Sequence, residues 1–209
     1  TMPTPKTPDY AKVRTPVLRR MMQHPLPALI SHCIFQSLLY MGHTERLFKL
    51  GLDAILTGIL WLILLEKIDG WGVSLLAASL IAHTINFIFN GQVWGVLKQY
   101  GFVNTPWLVF DRYIFDLGSR ARQERSIQHL YLYGSLVRQA WTPQADLDAR
   151  LVRYPGVWNG LRACWFVLKE RSRAFFARFP LDLYVVDSKR ELTLIRSDEL
   201  PVDIIHRSE

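Results

Sequence analysis

The sequence predicts an α+β chain, a small mixed sheet with helices preceded by an α-helical transmembrane hairpin. Three observations carry this expectation. Two apolar runs, residues 48–65 and 71–89, are separated only by Glu66-Lys67-Ile68-Asp69-Gly70. Beyond about residue 105, short β-forming runs alternate with helical periodicity, which is the grammar of a layered α+β unit. Two aspartates, Asp146 and Asp148, stand one residue apart inside another apolar run.

Composition frames these readings. The 209 residues are 50% hydrophobic and carry a formal net charge of +7. That balance suits anionic partners such as lipid headgroups, nucleotides or nucleic acid, without choosing among them. Cys33 and Cys164 lie in different halves and form no CxxC pair. A disulfide framework or a zinc site is therefore not expected, and a reduced, cytoplasm-facing protein is the simpler reading. No cleavable leader is expected either, because Pro3, Pro5 and Pro8 interrupt the start.

Residues 1–25 form a basic, Pro-rich arm with Lys6, Lys12, Arg14, Arg19 and Arg20, suited to anionic headgroups. Residues 26–105 read as a membrane-associated helical region. Its first segment, 26–41, contains Pro27, His32 and Gln36 and is short for a span, so an interfacial or re-entrant helix is expected. The hairpin follows, at about 48–66 and 71–93. A spanning helix needs about 20 apolar residues, and both runs approach that. Lys and Arg crowd the outer flanks (Arg46 and Lys49 before, Lys98 and Arg112 after), while the link carries Lys67 alone. The positive-inside tendency then makes both flanks cytoplasmic. The expectation is a multi-pass hairpin in the cytoplasmic (inner) membrane, with the C-terminal region in the cytoplasm.

The polar residues of the hairpin follow a pattern. Ser79, His83, Asn86 and Asn90 recur at spacings of four, three and four, which is one helical face. Antiparallel pairing brings Asp53 to the depth of His83. Interhelical hydrogen bonding is one reading of this set. The other is a polar site in the membrane, built by Asp53, His83 and Asn86, for a lipid phosphate or acceptor headgroup.

Residues 91–126 connect the halves, and 111–126 read as a helix with a basic end. The remaining elements are expected at 127–133 (strand), 135–140 (short helix), 145–153 (strand), 157–178 (amphipathic helix), 181–186 (strand) and 191–195 (short strand). Trp158, Leu161, Trp165, Leu168, Ser172, Phe175 and Phe179 recur every three or four residues, and this stripe is expected to pack on the sheet.

The chemistry lies at the junction of these elements. The run Leu130-Tyr-Leu-Tyr ends in Gly134-Ser135, and Asp146 follows the serine by eleven positions. Residues i and i+2 of a strand share a face, so Asp146 and Asp148 present paired carboxylates beside the Gly-Ser turn. Two acids on an apolar strand cost free energy unless a cation or proton compensates them. That arrangement suits Mg2+ held against a triphosphate.

Gly134-Ser135-Leu-Val-Arg138, followed by Asp146-Leu-Asp148, resembles the minimal nucleotidyltransferase signature of the DNA polymerase β-like superfamily. The resemblance covers about residues 110–200, and it makes 106–209 a nucleotidyltransferase-like domain. Gln139 departs from the pattern, which often has Gly after the Arg. The family carries a third acid on a later strand, and Asp182 in Leu181-Asp182-Leu183 occupies that place.

Specific roles follow from the resemblance. Gly134, Ser135 and Arg138 would bind the nucleotide phosphates, with helix N-terminal amides assisting. Asp146, Asp148 and Asp182 would bind Mg2+, as one ion or two, with Mn2+ as the alternative ion. Asp182 would also accept the acceptor's proton. The implied reaction moves a nucleoside monophosphate from a nucleoside triphosphate to a lipid-linked, sugar or other polar acceptor at the cytoplasmic membrane face. Two alternatives stand beside it. One is a nucleotidyltransferase modifying protein or RNA, of toxin–antitoxin or signalling type. The other is a non-catalytic nucleotide-binding membrane adaptor. No separate RNA-binding module is visible, which ranks nucleic acid below the other partners. The base, the acceptor and the oligomeric state stay open.

Overall fold

The computed structural model describes residues 24–35, 41–90, 93–195 and 200–205. Nearly all of the basic arm at 1–25 lies outside them, as does Gln36 of the first helical segment. The chain is a mixed α+β structure. Helix α1 (Pro25–Phe35) precedes two long apolar helices, α2 (His43–Leu65) and α3 (Trp71–Asn90). A short α4 (Val93–Leu97) runs into a 3-10 turn (Lys98–Tyr100), and α5 (Trp107–Gln123) follows. Then come β1 (Ile127–Tyr133), β2 (Leu147–Arg153), α6 (Val157–Phe176), β3 (Leu181–Val186), α7 (Lys189–Ile195) and β4 (Val202–Asp203).

Helices α2 and α3 are long and apolar enough to cross a membrane. A core helix of a water-soluble protein would bury such surface. Here the apolar stretch of α2 is 6% buried and that of α3 28% buried. Ile55, Ile59, Leu62, Leu76 and Leu80 all stand exposed.

The four strands form one sheet of order β3-β2-β1-β4. β1 is antiparallel to both β2 and β4, and β2 is parallel to β3. Alternation along the strands gives the sheet two unlike faces. Leu130, Leu147, Leu151 and Leu183 point into the main core, which α5 closes with Phe110 and Leu117 and α6 with Ala163 and Val167. Tyr133, Asp148, Arg150, Asp182 and Tyr184 fall on the alternate positions, and α7 packs Leu192 against the far end of that face.

β3 is an edge strand, and its outer edge is not left open. The Gly42 N–H donates to Val185 O at 3.0 Å. The Val185 N–H donates to Glu45 Oε2 at 2.5 Å. Arg171, on α6, donates through Nε to Leu183 O at 3.0 Å. The start of α2 thus takes the place of a fifth strand, satisfying backbone groups that an edge would otherwise present to other chains.

Four sequence expectations change. The segment after Ser135 is a series of turns rather than a helix: Ala140 N–H returns to Ser135 O at 2.8 Å, and Gln139 sits at φ 54, where a helix cannot continue. β2 starts at Leu147, so Asp146 lies on the approach to the strand, just after the turn closed by Ala145 N–H on Thr142 O. Residues 191–195 belong to helix α7, since Lys-Arg-Glu-Leu favours a helix locally, and the fourth strand is Val202–Asp203. Finally, Trp158, Leu161 and Trp165 do not pack on the sheet. α6 buries another face, with Gly160, Ala163, Phe166, Val167 and Ala174, and leaves Trp158, Leu161 and Trp165 outside. Periodicity marks a face but not what covers it.

Candidate functional site

The acid site is a row across three strands. Tyr133 on β1 pairs with Asp148 on β2, which pairs in turn with Asp182 on β3. The Asp148 and Asp182 carboxyls share a hydrogen bond. Burial, then the negative charges of Asp146 and Asp182, push the Asp148 carboxyl from 3.8 up to about 7, with Arg150 opposing. Asp148 therefore keeps its proton up to about neutral pH.

Gly134 ends β1 at φ +78 and lies against Asp148 so closely that a β-carbon would collide with its Oδ2. Only glycine meets both conditions. Two hydroxyls flank it: Tyr133 OH and Ser135 Oγ are buried with no hydrogen-bond partner among the described residues. Buried polar atoms are rarely left so. Arg138 is exposed on the same loop.

Asp146 is held apart from this row by Lys98, whose Nζ lies 2.5 Å from its Oδ1. Lys98 is itself 8% exposed. Among the described residues, no group of three or more His, Cys, Asp or Glu side chains stands ready to hold a metal ion. Asp148 and Asp182 share a hydrogen bond, while Asp146 is paired with Lys98 and its charge still reaches Asp148. The donor set, three carboxylates with a raised acid among them, has the hard-oxygen chemistry that Mg2+ takes.

Two cations at this site escaped sequence reasoning. Arg150 follows Asp148 by two residues and shares its face, a signal that was available. Its Nη2 lies 3.7 Å from Asp182 Oδ2, and its guanidinium sits 4.4 Å from the Tyr184 ring centroid. Lys98 arrives from the linker after α4, and no local pattern announces it.

The hairpin polar residues also meet. His83 Nδ1 lies 2.9 Å from Asp53 Oδ2, and Asn86 Nδ2 donates to Asp53 Oδ1 at 2.8 Å. His83 Nε2 lies 2.8 Å from the Cys33 carbonyl on α1. From Asn86 the chain of bonds continues through Asn90 to Arg171, whose Nη1 donates to Asn90 Oδ1 at 2.8 Å. Arg171 Nη2 then meets Glu45 Oε1 at 2.6 Å. Both of these charged side chains are buried. The polar line thus leads out of the hairpin to the β3 edge. On the other side, His32 of α1 lies within electrostatic reach of Asp182; burial lowers its imidazole's pKa and the carboxylate opposes.

Comparison with family models, with curated proteins and with solved structures returned no match.

Proposed function

We propose that the chain is a membrane-anchored, metal-dependent nucleotidyltransferase. It would transfer a nucleoside monophosphate from a triphosphate to a lipid-linked, sugar or other polar acceptor at the cytoplasmic membrane face. One observation carries this reading: Asp148 and Asp182 stand in register beside the Gly134-Ser135 turn, on a sheet whose outer strand is bonded to the base of the apolar hairpin. The polymerase β-like signature gives these residues their roles, and the mixed sheet is compatible with such a domain.

In this reading Ser135 Oγ and Arg138 bind phosphate oxygens of the triphosphate. Asp146, Asp148 and Asp182 would hold one or two Mg2+ ions, which when bound supply charge neutralisation for an in-line displacement. The acceptor oxygen bonds to the α-phosphorus, the α–β phosphoanhydride breaks, and pyrophosphate leaves. Asp182 takes the acceptor's proton. Gly134 keeps the turn close enough to Asp148 for one ligand to touch both. Helices α2 and α3 span the bilayer, and positive flanks keep the sheet on the cytoplasmic side.

The test uses the full chain in detergent or nanodiscs, Mg2+ and each labelled triphosphate in turn, with membrane lipid extract as acceptor source. Pyrophosphate release with label transfer to lipid is expected, and it should vanish in Asp146→Asn/Asp148→Asn. Release that is undiminished in that variant overturns the assignment. Label on protein instead of lipid would favour the protein-modifying alternative.

A further inference from the structure

The exposed face of α6 is the largest feature that the acid site does not use. Trp158 is 77% exposed, Trp165 53% and Phe176 73%, and Val157 and Leu161 join them. On a helical projection at 100° per residue, these five fall with Leu168, Ser172 and Phe175 in an arc of about 100°.

The direction of that arc is fixed at its C-terminal end. Ser172 Oγ donates to the Phe89 carbonyl of α3 at 3.2 Å. The Phe175 and Phe176 rings lie 5.7 and 5.9 Å from the Phe89 ring. The face that carries Trp158 and Trp165 is therefore the face that meets the hairpin. It continues past the hairpin, where Trp158 is 77% and Trp165 53% exposed.

Its depth is fixed as well. Gly160 packs on Thr44 at the start of α2, so closely that a β-carbon would meet Thr44 Cγ2 at 2.7 Å. Leu47, three residues further along α2 or about 4.5 Å of helix rise, is 70% exposed just before the apolar run at 48–65. α6 crosses the hairpin base at both Thr44 and Phe89, one turn from the start of that run. That is the level of the headgroups, where Trp is favoured. Arg162, Lys169 and Arg173 are exposed along one border of the arc, Arg162 paired with Glu124 and Arg173 with Glu170; Lys169 is suited to anionic headgroups.

We propose that α6 is an interfacial helix, with Trp158, Leu161, Trp165 and Phe176 seated in the headgroup–acyl boundary of the bilayer that the hairpin crosses. The proposal rests on the hairpin spanning the membrane and does not depend on the catalytic reading. It makes the lipid surface a third support of the sheet, beside the hairpin and the β3 edge. The sheet, with its row Tyr133, Asp148 and Asp182, is thereby held at one height and one tilt over the leaflet, as an acceptor with its headgroup in the interface would require.

The test reads depth directly. Nitroxide labels are placed singly at Trp158→Cys, Trp165→Cys, Ile59→Cys and Gln123→Cys, in full-length protein with Cys33→Ser and Cys164→Ala. The protein is held in vesicles of phosphatidylethanolamine and phosphatidylglycerol. Relative accessibility to oxygen and to a water-soluble nickel chelate is measured for each label. Ile59 is expected in the acyl core, Gln123 in water, and both tryptophan positions at the boundary, roughly 5–10 Å into the headgroup region.

Ile59 in the acyl core with both tryptophan positions in water overturns this proposal alone. Ile59 in water overturns it together with the spanning hairpin. Dipolar broadening between labels on different molecules would assign the face to a second copy and also overturn it. A second measurement needs no cysteine replacement. The emission lost in Trp158→Phe/Trp165→Phe should be the component that lipids brominated near the headgroup quench, and quenching of it by aqueous iodide instead counts against the proposal.

Discussion

Lys98 Nζ rests 2.5 Å from Asp146 Oδ1, so an ammonium occupies the carboxylate that the proposed metal site would need. The contact brings the linker after the hairpin to the acid site. It also sets a competition, because Asp146 can turn toward Asp148 only by giving up Lys98.

Removing that competitor should favour metal. In Lys98→Met, Mn2+ affinity measured by paramagnetic resonance is expected to rise about 5-fold, since an ion pair with one partly exposed partner contributes on the order of 1 kcal/mol. Unchanged or weaker binding would show that Lys98 orients Asp146 rather than competing for it.

Gly134→Ala places a β-carbon against Asp148 at a positive φ. The backbone strain alone costs about 1–3 kcal/mol, and the collision adds to it. The expected result is a lower thermal midpoint with loss of metal binding. Ser135→Ala, which adds no atom, should leave the midpoint near its original value and weaken triphosphate binding.

The raised Asp148 carboxyl gives a pH signature. Asp148 is raised in the folded chain, from 3.8 to about 7, so the folded state keeps a proton that the unfolded state releases. That contribution to stability is fully present below about pH 3.8 and is lost as pH rises through about 7. Thermal midpoints from pH 5 to 8 should therefore fall for the metal-free chain, and Asp148→Asn should flatten the slope. Added Mg2+ should stabilise more at pH 8 than at pH 6. A slope that survives in Asp148→Asn assigns the proton elsewhere.

The polar line between the hairpin and β3 should be unequal along its length. Asp53→Asn alters one bond between helices, a change of about 0.6 kcal/mol on average. Arg171→Met leaves the Glu45 carboxylate buried without its charge partner, at a cost of about 3–5 kcal/mol. Thermal unfolding in detergent micelles should rank them in that order. Glu45→Leu/Arg171→Met should recover much of the loss.

Much of the layout was readable before the structure. Two apolar runs with a five-residue link read as a helical hairpin, and the runs at 127–133 and 181–186 read as strands; the structure has both. Asp148 and Asp182 stand opposite each other because their strands pair in register; it is the family resemblance that singles out Asp182. What escaped was long-range. The stripe on α6 has the periodicity of a buried face, yet the small residues Gly160, Ala163 and Ala174 let the sheet and α2 approach from another side. The five residues after Ser135 carry helix formers, but Gln139 in a left-handed conformation ends any helix there. Lys98 reaches Asp146 across 48 positions of sequence, a separation that no local pattern reports.

The bonding of the β3 edge to residues 42–45 bears on the order of assembly during synthesis. Chains emerge N-terminus first, so α2 is available before β3 is made. The sheet can close on an edge already anchored, and at no stage need β3 wait as an open template. A fragment of residues 106–209 reverses this history. It would present the backbone of Val185 uncapped, with Arg171 deprived of Glu45. Such a fragment is expected to aggregate when expressed alone, and co-expression with residues 1–105 should rescue it in the membrane fraction. The hairpin then serves the sheet as a folding partner as well as an anchor.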